Sequence, residues 1–169
     1  MTGLMADPPD ATTMRLLRRR WASGIAVVTV RDDGGMSGAT VSAFTVLSLD
    51  PPLILVCLYD GARIMDAVRR RRRFGVSILE NAQEQLADRF SGRGPTLDTD
   101  FTGVSYDLSA RGTPALAGAL GFIDCDVRDL HDGGDHVLIV ATAIDMLLAP
   151  DTDDPLLAYE GGYRRLASS

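Results

Sequence analysis

Lysine is missing from this chain, and all 17 basic residues are arginine. That excludes a Schiff-base lysine, a pyridoxal-phosphate aldimine and a P-loop lysine. Any phosphate the protein holds must be met by arginine, hydroxyls or backbone N–H groups. Cysteine is scarce: Cys57 and Cys125 stand far apart in apolar stretches, too few for a disulfide framework or a four-thiolate zinc site. They read as small buried hydrophobes in a reducing cytoplasm. Histidine is scarcer than most ligand sets need: His131 and His136 have no cysteine near them, and no metal is expected. No apolar run reaches membrane-spanning length, and no signal-peptide core opens the chain. G-x-S-x-G and G-x-G-x-x-G are both absent, which removes the nucleophile elbow and the dinucleotide fingerprint. With 23 acidic residues the net charge is −6, so nothing draws the chain generally to nucleic acid or anionic lipid.

What is present suits one soluble domain: 169 residues, 46% hydrophobic and 24% charged. Residues 1–10 read as a loose arm and 11–169 as the folded unit. Met14, Leu17 and Trp21 recur at helical spacing after Asp10 or Thr12 as N-cap. Residues 25–30 form a β-branched run closed by Asp32-Asp-Gly-Gly35, a hairpin signal. One strand rich in small hydroxyl residues is expected over 37–48, stopped by Pro51-Pro52. Residues 53–59 read as a buried strand. A helix is predicted over 62–72, a strand over 74–79, a helix capped by Asn81 through Phe90, and a loop over 91–101. Residues 120–130 alternate, with Phe122, Asp124, Asp126 and Arg128 on one side and Ile123, Cys125 and Val127 on the other. A turn over 131–135 leads to a long strand over 137–148, and a last strand pair surrounds Gly161-Gly162. Long strands joined by tight turns pair antiparallel, and such a sheet protects its edges best by closing. The expected fold is therefore mostly β: an antiparallel barrel, closed or nearly so, with short peripheral helices.

The chemistry-bearing candidate is the polar strand Gly38-Ala-Thr-Val-Ser-Ala-Phe44, running on to Ser48-Leu-Asp-Pro-Pro52. Small side chains let a planar ligand approach the backbone, and N–H and hydroxyl groups can meet its heteroatoms. The competing reading is a barrel strand whose hydroxyls bond its neighbours.

Four segments together make the chain resemble the flavin reductase family, the small partners of two-component flavin-dependent monooxygenases. They are Ala22-Ser-Gly-Ile-Ala-Val-Val-Thr29; Gly38-Ala-Thr-Val-Ser-Ala-Phe-Thr45 with Ser48-Leu-Asp-Pro-Pro-Leu53; Leu86-Ala-Asp-Arg-Phe-Ser-Gly92; and Gly134-Asp-His136 with Gly162-Tyr-Arg164. The resemblance runs from about residue 16 to 166 and implies an antiparallel Greek-key split β-barrel. It also implies FMN or FAD as flavin, NADH or NADPH as hydride donor, and a monooxygenase partner reached by diffusible reduced flavin. A homodimer in the cytoplasm, without nucleic acid or membrane, completes the picture. Trp21, Phe44 and Tyr59 fit either a subunit interface or the core.

By the same resemblance the flavin ring lies against Thr40, Val41, Ser42 and Ala43, within the signature that includes Ser48. Val56, Cys57 and Leu58 line the ribityl chain. Where the family often carries Ser-x-Thr for the flavin phosphate, this chain has Ala62-Arg63-Ile64, so Arg63 becomes the phosphate contact. Arg89 is either a second contact or an exposed helix arginine. His136 matches the histidine near the nicotinamide, and Tyr163 and Arg164 match the segment that closes over the dinucleotide. The arginine runs 18–20 and 69–73 read first as solvated helix faces. Attraction of a 2′-phosphate, a pyrophosphate or an acidic partner is the sharper alternative for 69–73. Two other functions stay open: a split-barrel flavoprotein holding its flavin tightly for another substrate, and a non-catalytic flavin-binding module.

Overall fold

The computed structural model describes residues 10–92, 101–149 and 154–166. Nine of the ten residues of the expected N-terminal arm, and most of the loop after α3, lie outside them. The chain opens with helix α1 (Ala11–Arg19), whose N-cap is Asp10; the carboxylate accepts from the Thr13 N–H at 2.6 Å. Strands β1 (Ser23–Gly24), β2 (Ala26–Asp32), β3 (Gly35–Val41), β4 (Phe44–Leu49) and β5 (Pro52–Tyr59) follow. After helix α2 (Arg63–Arg71) come β6 (Arg73–Ile78) and helix α3 (Glu84–Phe90). The rest is β7 (Tyr106–Leu108), β8 (Pro114–Leu116), β9 (Gly121–Asp132), β10 (His136–Leu148), β11 (Leu157–Tyr159) and β12 (Gly162–Arg164).

The main sheet has seven antiparallel strands in the order β3-β2-β6-β9-β10-β5-β4. Its two edge strands are consecutive in sequence, joined by Ser42 and Ala43 alone. Three Cα steps reach at most about 11 Å. Six strand spacings of about 4.8 Å would separate the edges of a flat sheet by roughly 29 Å. The sheet must therefore curl until its edges nearly meet. At the break, the Cys57 N–H donates to the Ala43 carbonyl at 3.0 Å, which carries the β4–β5 ladder one residue past Phe44. The single strand expected over 37–48 is thus two, parted at Ser42-Ala43. The polar pattern runs through the break because both halves carry small residues.

Two cores flank the sheet. Inside the barrel, Val28, Val30, Ile54, Val56, Leu58, Phe74, Val76, Cys125 and Ile139 pack together with Ile64, Met65 and Val68 of α2. Outside it, Ile25, Val27, Leu79, Phe90, Phe101 and Leu156 form a second cluster. Strand β2 serves both, which explains its unbroken apolar run: alternate residues are buried on opposite faces. Burying each such side chain stabilises the fold by at most about 1.5–3 kcal/mol.

Several local features depart from the sequence reading. The turn before α3 is capped by Glu80, not Asn81: its carboxylate accepts from the Ala82 N–H while the Gln83 side chain accepts from the Glu80 N–H. Asp124, on the side of the alternating strand that also carries Asp126 and Arg128, is fully buried. Ser109 Oγ and Thr113 Oγ1 donate to it at 2.6 and 3.0 Å, replacing the lost water. Gly38 carries no Cβ because α3 needs the space: a Cβ there would stand 2.6 Å from the Phe90 ring. Its smallness serves packing rather than a ligand.

The arginines of 69–73 are mostly built into the fold. Arg69 pairs with Asp60, and Arg70 meets Asp32 at 2.6 Å. Arg72 caps α2 in the left-handed region (φ 52°) and donates to the Val127 and Arg128 carbonyls. Arg73 begins β6, where it faces Asp126. Met14, Leu17 and Trp21 of the amphipathic stripe, by contrast, are exposed, and no residue of α1 is buried. Core burial is also excluded for Tyr59, whereas Phe44 packs against the inner core. Among the described residues no helix is long and apolar enough to cross a membrane.

Candidate functional site

A cleft of about 790 Å³ opens where the barrel is split. Its floor and one wall come from Ala39, Thr40, Val41, Ser42 and Ala43 at the end of β3 and the break. Cys57, Leu58, Tyr59 and Ala62 form a second wall, and His136 enters from the start of β10. The opposite rim is Arg18, Arg19 and Trp21 of the α1 end, with Tyr163 and the β11–β12 turn.

The first wall is flat because its residues are small, and it is polar because the ladder ends there. Neither the Ser42 nor the Ala43 N–H donates to a carbonyl of the described residues. The Ser42 hydroxyl has no partner among them either. Two unpaired backbone donors beside a hydroxyl, which can both donate and accept, present a mainly donating edge to a heteroatom-rich ring. Thr40 differs: its hydroxyl donates to the Ala87 carbonyl of α3 at 2.7 Å. For Thr40 the competing reading holds for the proton, and only the hydroxyl's lone pairs remain for a ligand.

On the second wall, β5 sorts its residues by alternation. Val56 is fully buried in the inner core, so its side chain turns away from the cleft; Cys57, one residue on, faces it. Burial pushes the Cys57 thiol up from its ordinary range. Cys57 is half-buried, which corrects the expectation that both cysteines are sealed; Cys125 is. Tyr59 and His136 are register partners across β5 and β10. The His136 Nδ1 sits 2.7 Å from an Asp135 carboxylate oxygen, and this contact holds the Asp135 carboxyl below its usual range. That leaves Nε2 as the ring nitrogen without an assigned partner.

Tyr163 closes the rim by donating its hydroxyl to Asp88 of α3 at 2.8 Å, fixing β12 to the helix that also receives Thr40. Arg164 faces out beside it, donating to the Tyr163 carbonyl, and does not line the cleft. Ser48 lies on β4 near its bulge, away from the cleft. Arg89, half-buried on α3, is also outside the lining. Arg63 is the first residue of α2, exposed, with no partner among the described residues. It follows Ala62 of the cleft wall, and that N-cap contributes no side-chain hydrogen bond; the Met65 N–H donates to the Ala62 carbonyl at 2.9 Å, which leaves the Arg63 and Ile64 N–H groups open.

Sequence reasoning missed the α1 rim. Arg18–Arg20 read as solvated, yet Arg18 and Arg19 line the cleft. Arg19 donates to the Glu160 carbonyl at 2.7 Å and accepts from the Glu160 N–H at 2.8 Å. This exchange holds α1 over the opening. It joins residues 141 positions apart, and no local pattern reveals it.

The chain belongs to the flavin reductase like domain family, whose match covers residues 18–167. It is 34% identical over 160 residues to the reductase subunit HsaB of a flavin-dependent monooxygenase from Mycobacterium tuberculosis, covering 94% of this chain and 84% of that protein. It is 35% identical over 163 residues to an NADH-dependent flavin reductase of a Rhodococcus species, covering 94% and 89%. The solved NADH:FAD oxidoreductase SgcE6 of Streptomyces globisporus, in complex with NAD and FAD fragments, matches with a TM-score of 0.88 at 31% identity, covering 98% of each chain. The fold is that of the split-barrel flavin reductases.

Proposed function

We propose that this protein is an NADH-dependent flavin reductase that delivers reduced FAD or FMN to a separate monooxygenase. The observation that carries the reading is the pair of open N–H groups at Ser42 and Ala43. They stand at the break between β3 and β4, on a flat wall of small residues in a cleft large enough for a flavin. Relatives named as NADH-dependent reductases and as monooxygenase reductase subunits support the donor and the partner.

Flavin and nicotinamide supply the hydride chemistry; the protein binds and orients them. Ser42 and Ala43 hold the polar edge of the ring, and Thr40 and Val41 support its face. Cys57 and Leu58 line the side of the cleft that leads to Ala62. There the Arg63 side chain and the open Arg63 and Ile64 N–H groups of α2 would receive the flavin phosphate, without the hydroxyls common in the family. His136 and Tyr59 border the space left for the nicotinamide, and Arg18 stands at the mouth for its phosphates. Tyr163 fixes the rim. No side chain is required as an acid or base, so the residues contribute by position.

The functional unit is a single domain of residues 11–169, working in the cytoplasm where NADH is held. It forms a homodimer through the apolar side chains that the single chain leaves exposed: Val46, Leu47 and Leu49 of β4, and Met146, Leu147 and Leu148 of β10. The test of function is NADH oxidation followed at 340 nm with and without added FAD or FMN. Oxidation that depends on added flavin supports the proposal. A protein that purifies with tightly held yellow flavin and shows no turnover, or one that ignores flavin, contradicts it.

A further inference from the structure

A second pocket, of about 430 Å³, lies at the other end of β2 from the cleft. Ile25 of the cleft lining and Arg31 of this pocket are six residues apart along an extended segment, roughly 20 Å. Five arginines line it: Arg31, Arg70, Arg71, Arg73 and Arg111. So dense a cluster is unexpected in a chain of net charge −6.

Of the carboxylates nearby, Asp33 is on the lining, exposed and without a partner among the described residues, while the others are committed. Asp32 is held by Arg70, and the salt bridge keeps its carboxyl below the usual range. One carboxylate, Asp126, serves both Arg111, at 2.6 Å, and Arg73, at 3.6 Å. Buried Asp124 already accepts from Ser109 and Thr113. Arg31 and Arg71 have no hydrogen bond or ion pair with the described residues. Arg73 Nε and Arg111 Nη1 are buried N–H donors with no hydrogen-bonded acceptor; each only faces a carboxylate, Asp126 at 3.6 Å and Asp124 at 3.9 Å. A buried donor left unmade is costly, and guanidinium forks match tetrahedral oxyanions.

We infer that this pocket is a binding site for a phosphate-class oxyanion, gripped by Arg31 and Arg71 from the rim, with Arg73 and Arg111 as the inner donors. The site is separate from the flavin cleft and does not depend on the proposed activity. It also gives the arginine run a role other than holding the nicotinamide: Arg70, Arg71 and Arg73 face away from the cleft.

The probe is inorganic pyrophosphate, titrated calorimetrically into flavin-free protein at constant ionic strength set with chloride. The variants are R31Q/R71Q, whose side chains are exposed and make no described contact, and R63Q at the cleft. Saturable binding that is weakened at least about tenfold in R31Q/R71Q and retained in R63Q supports the site, since two charge-assisted hydrogen-bonding groups are lost. Circular dichroism and flavin-dependent NADH oxidation are expected to be unchanged in R31Q/R71Q, which separates this site from the cleft. No binding beyond the chloride control, equal binding in R31Q/R71Q, or loss in R63Q alone overturns the inference.

Discussion

Tyr59 and His136 sit opposite each other across β5 and β10, with ring centroids 6.0 Å apart and planes at 70°. This edge-to-face pair stands at the cleft's open side, and Asp135 sets the ring by its contact with Nδ1. Replacing His136 by Ala should lower kcat/KM for NADH by about 3–10-fold, the effect of one lost hydrogen bond. The flavin Kd should stay near its wild-type value. Steady-state kinetics with NADH varied, beside a flavin fluorescence titration, checks both. Complete loss of turnover in a folded H136A protein would assign His136 an obligatory proton transfer and contradict the positional role.

Ser42 is the side-chain donor at the break in the barrel. Ser42→Ala should weaken flavin binding by about 2–10-fold and leave substantial activity, because the Ser42 and Ala43 N–H groups remain. The bulkier Ser42→Trp should fill the cleft and abolish flavin-dependent NADH oxidation without lowering the melting temperature much. Activity retained in S42W would place the flavin elsewhere.

Gly38 tests the packing that supports the wall. An added Cβ would stand 2.6 Å from the Phe90 ring, so Gly38→Ala should cost about 1–3 kcal/mol as α3 is pushed from β3. Adding Phe90→Leu should recover part of that loss by giving the Cβ room. Thermal unfolding of the three variants measures the coupling. An unchanged melting temperature in G38A would show that α3 is not held tightly there.

Cys57 and Cys125 differ in access. Burial raises both thiols, so neither is a ready thiolate near neutral pH. Iodoacetamide should modify Cys57 slowly, faster as pH rises and more slowly with saturating flavin, while Cys125 reacts only after unfolding. Mass spectrometry of the alkylated peptides reads this directly. Flavin-independent labelling of Cys57 would remove it from the binding wall.

Arg70 holds the Asp32 carboxyl below its usual range. A carboxylate depressed in the folded state stabilises above its unfolded pKa, about 3.9, and loses that contribution as pH falls through the lower folded value. Asp32→Asn should therefore lower the melting temperature at pH 6, with the gap to wild type closing below about pH 4. A gap independent of pH would mean the loss comes from the Gly34 N–H contact rather than the charge.

Much of the barrel was legible in local patterns. The β-branched run of β2, the alternation of β9, the helix that ends in the arginine run and the Gly161-Gly162 hairpin all appear where periodicity and turn residues put them. The break at Ser42-Ala43 was not legible, because it is imposed by the edges meeting and leaves no composition change. Asp124 could not be seen as buried, since its partners Ser109 and Thr113 come from a distant turn. Of the site, Thr40, Val41, Ser42, Ala43, Cys57, Leu58, His136 and Tyr163 converge on one cleft. Val56 does not, for the alternation along β5 turns it inward. The rim from α1 stayed hidden because a 141-residue separation holds it there.

The most direct measurement is a crystal structure of the protein soaked with FAD. The isoalloxazine is expected against Thr40–Ala43, with its polar edge within hydrogen-bonding distance of the Ser42 and Ala43 N–H groups and its other face open toward His136. Density for the ring at any other place, or a sealed cleft with no ring bound, would contradict the account.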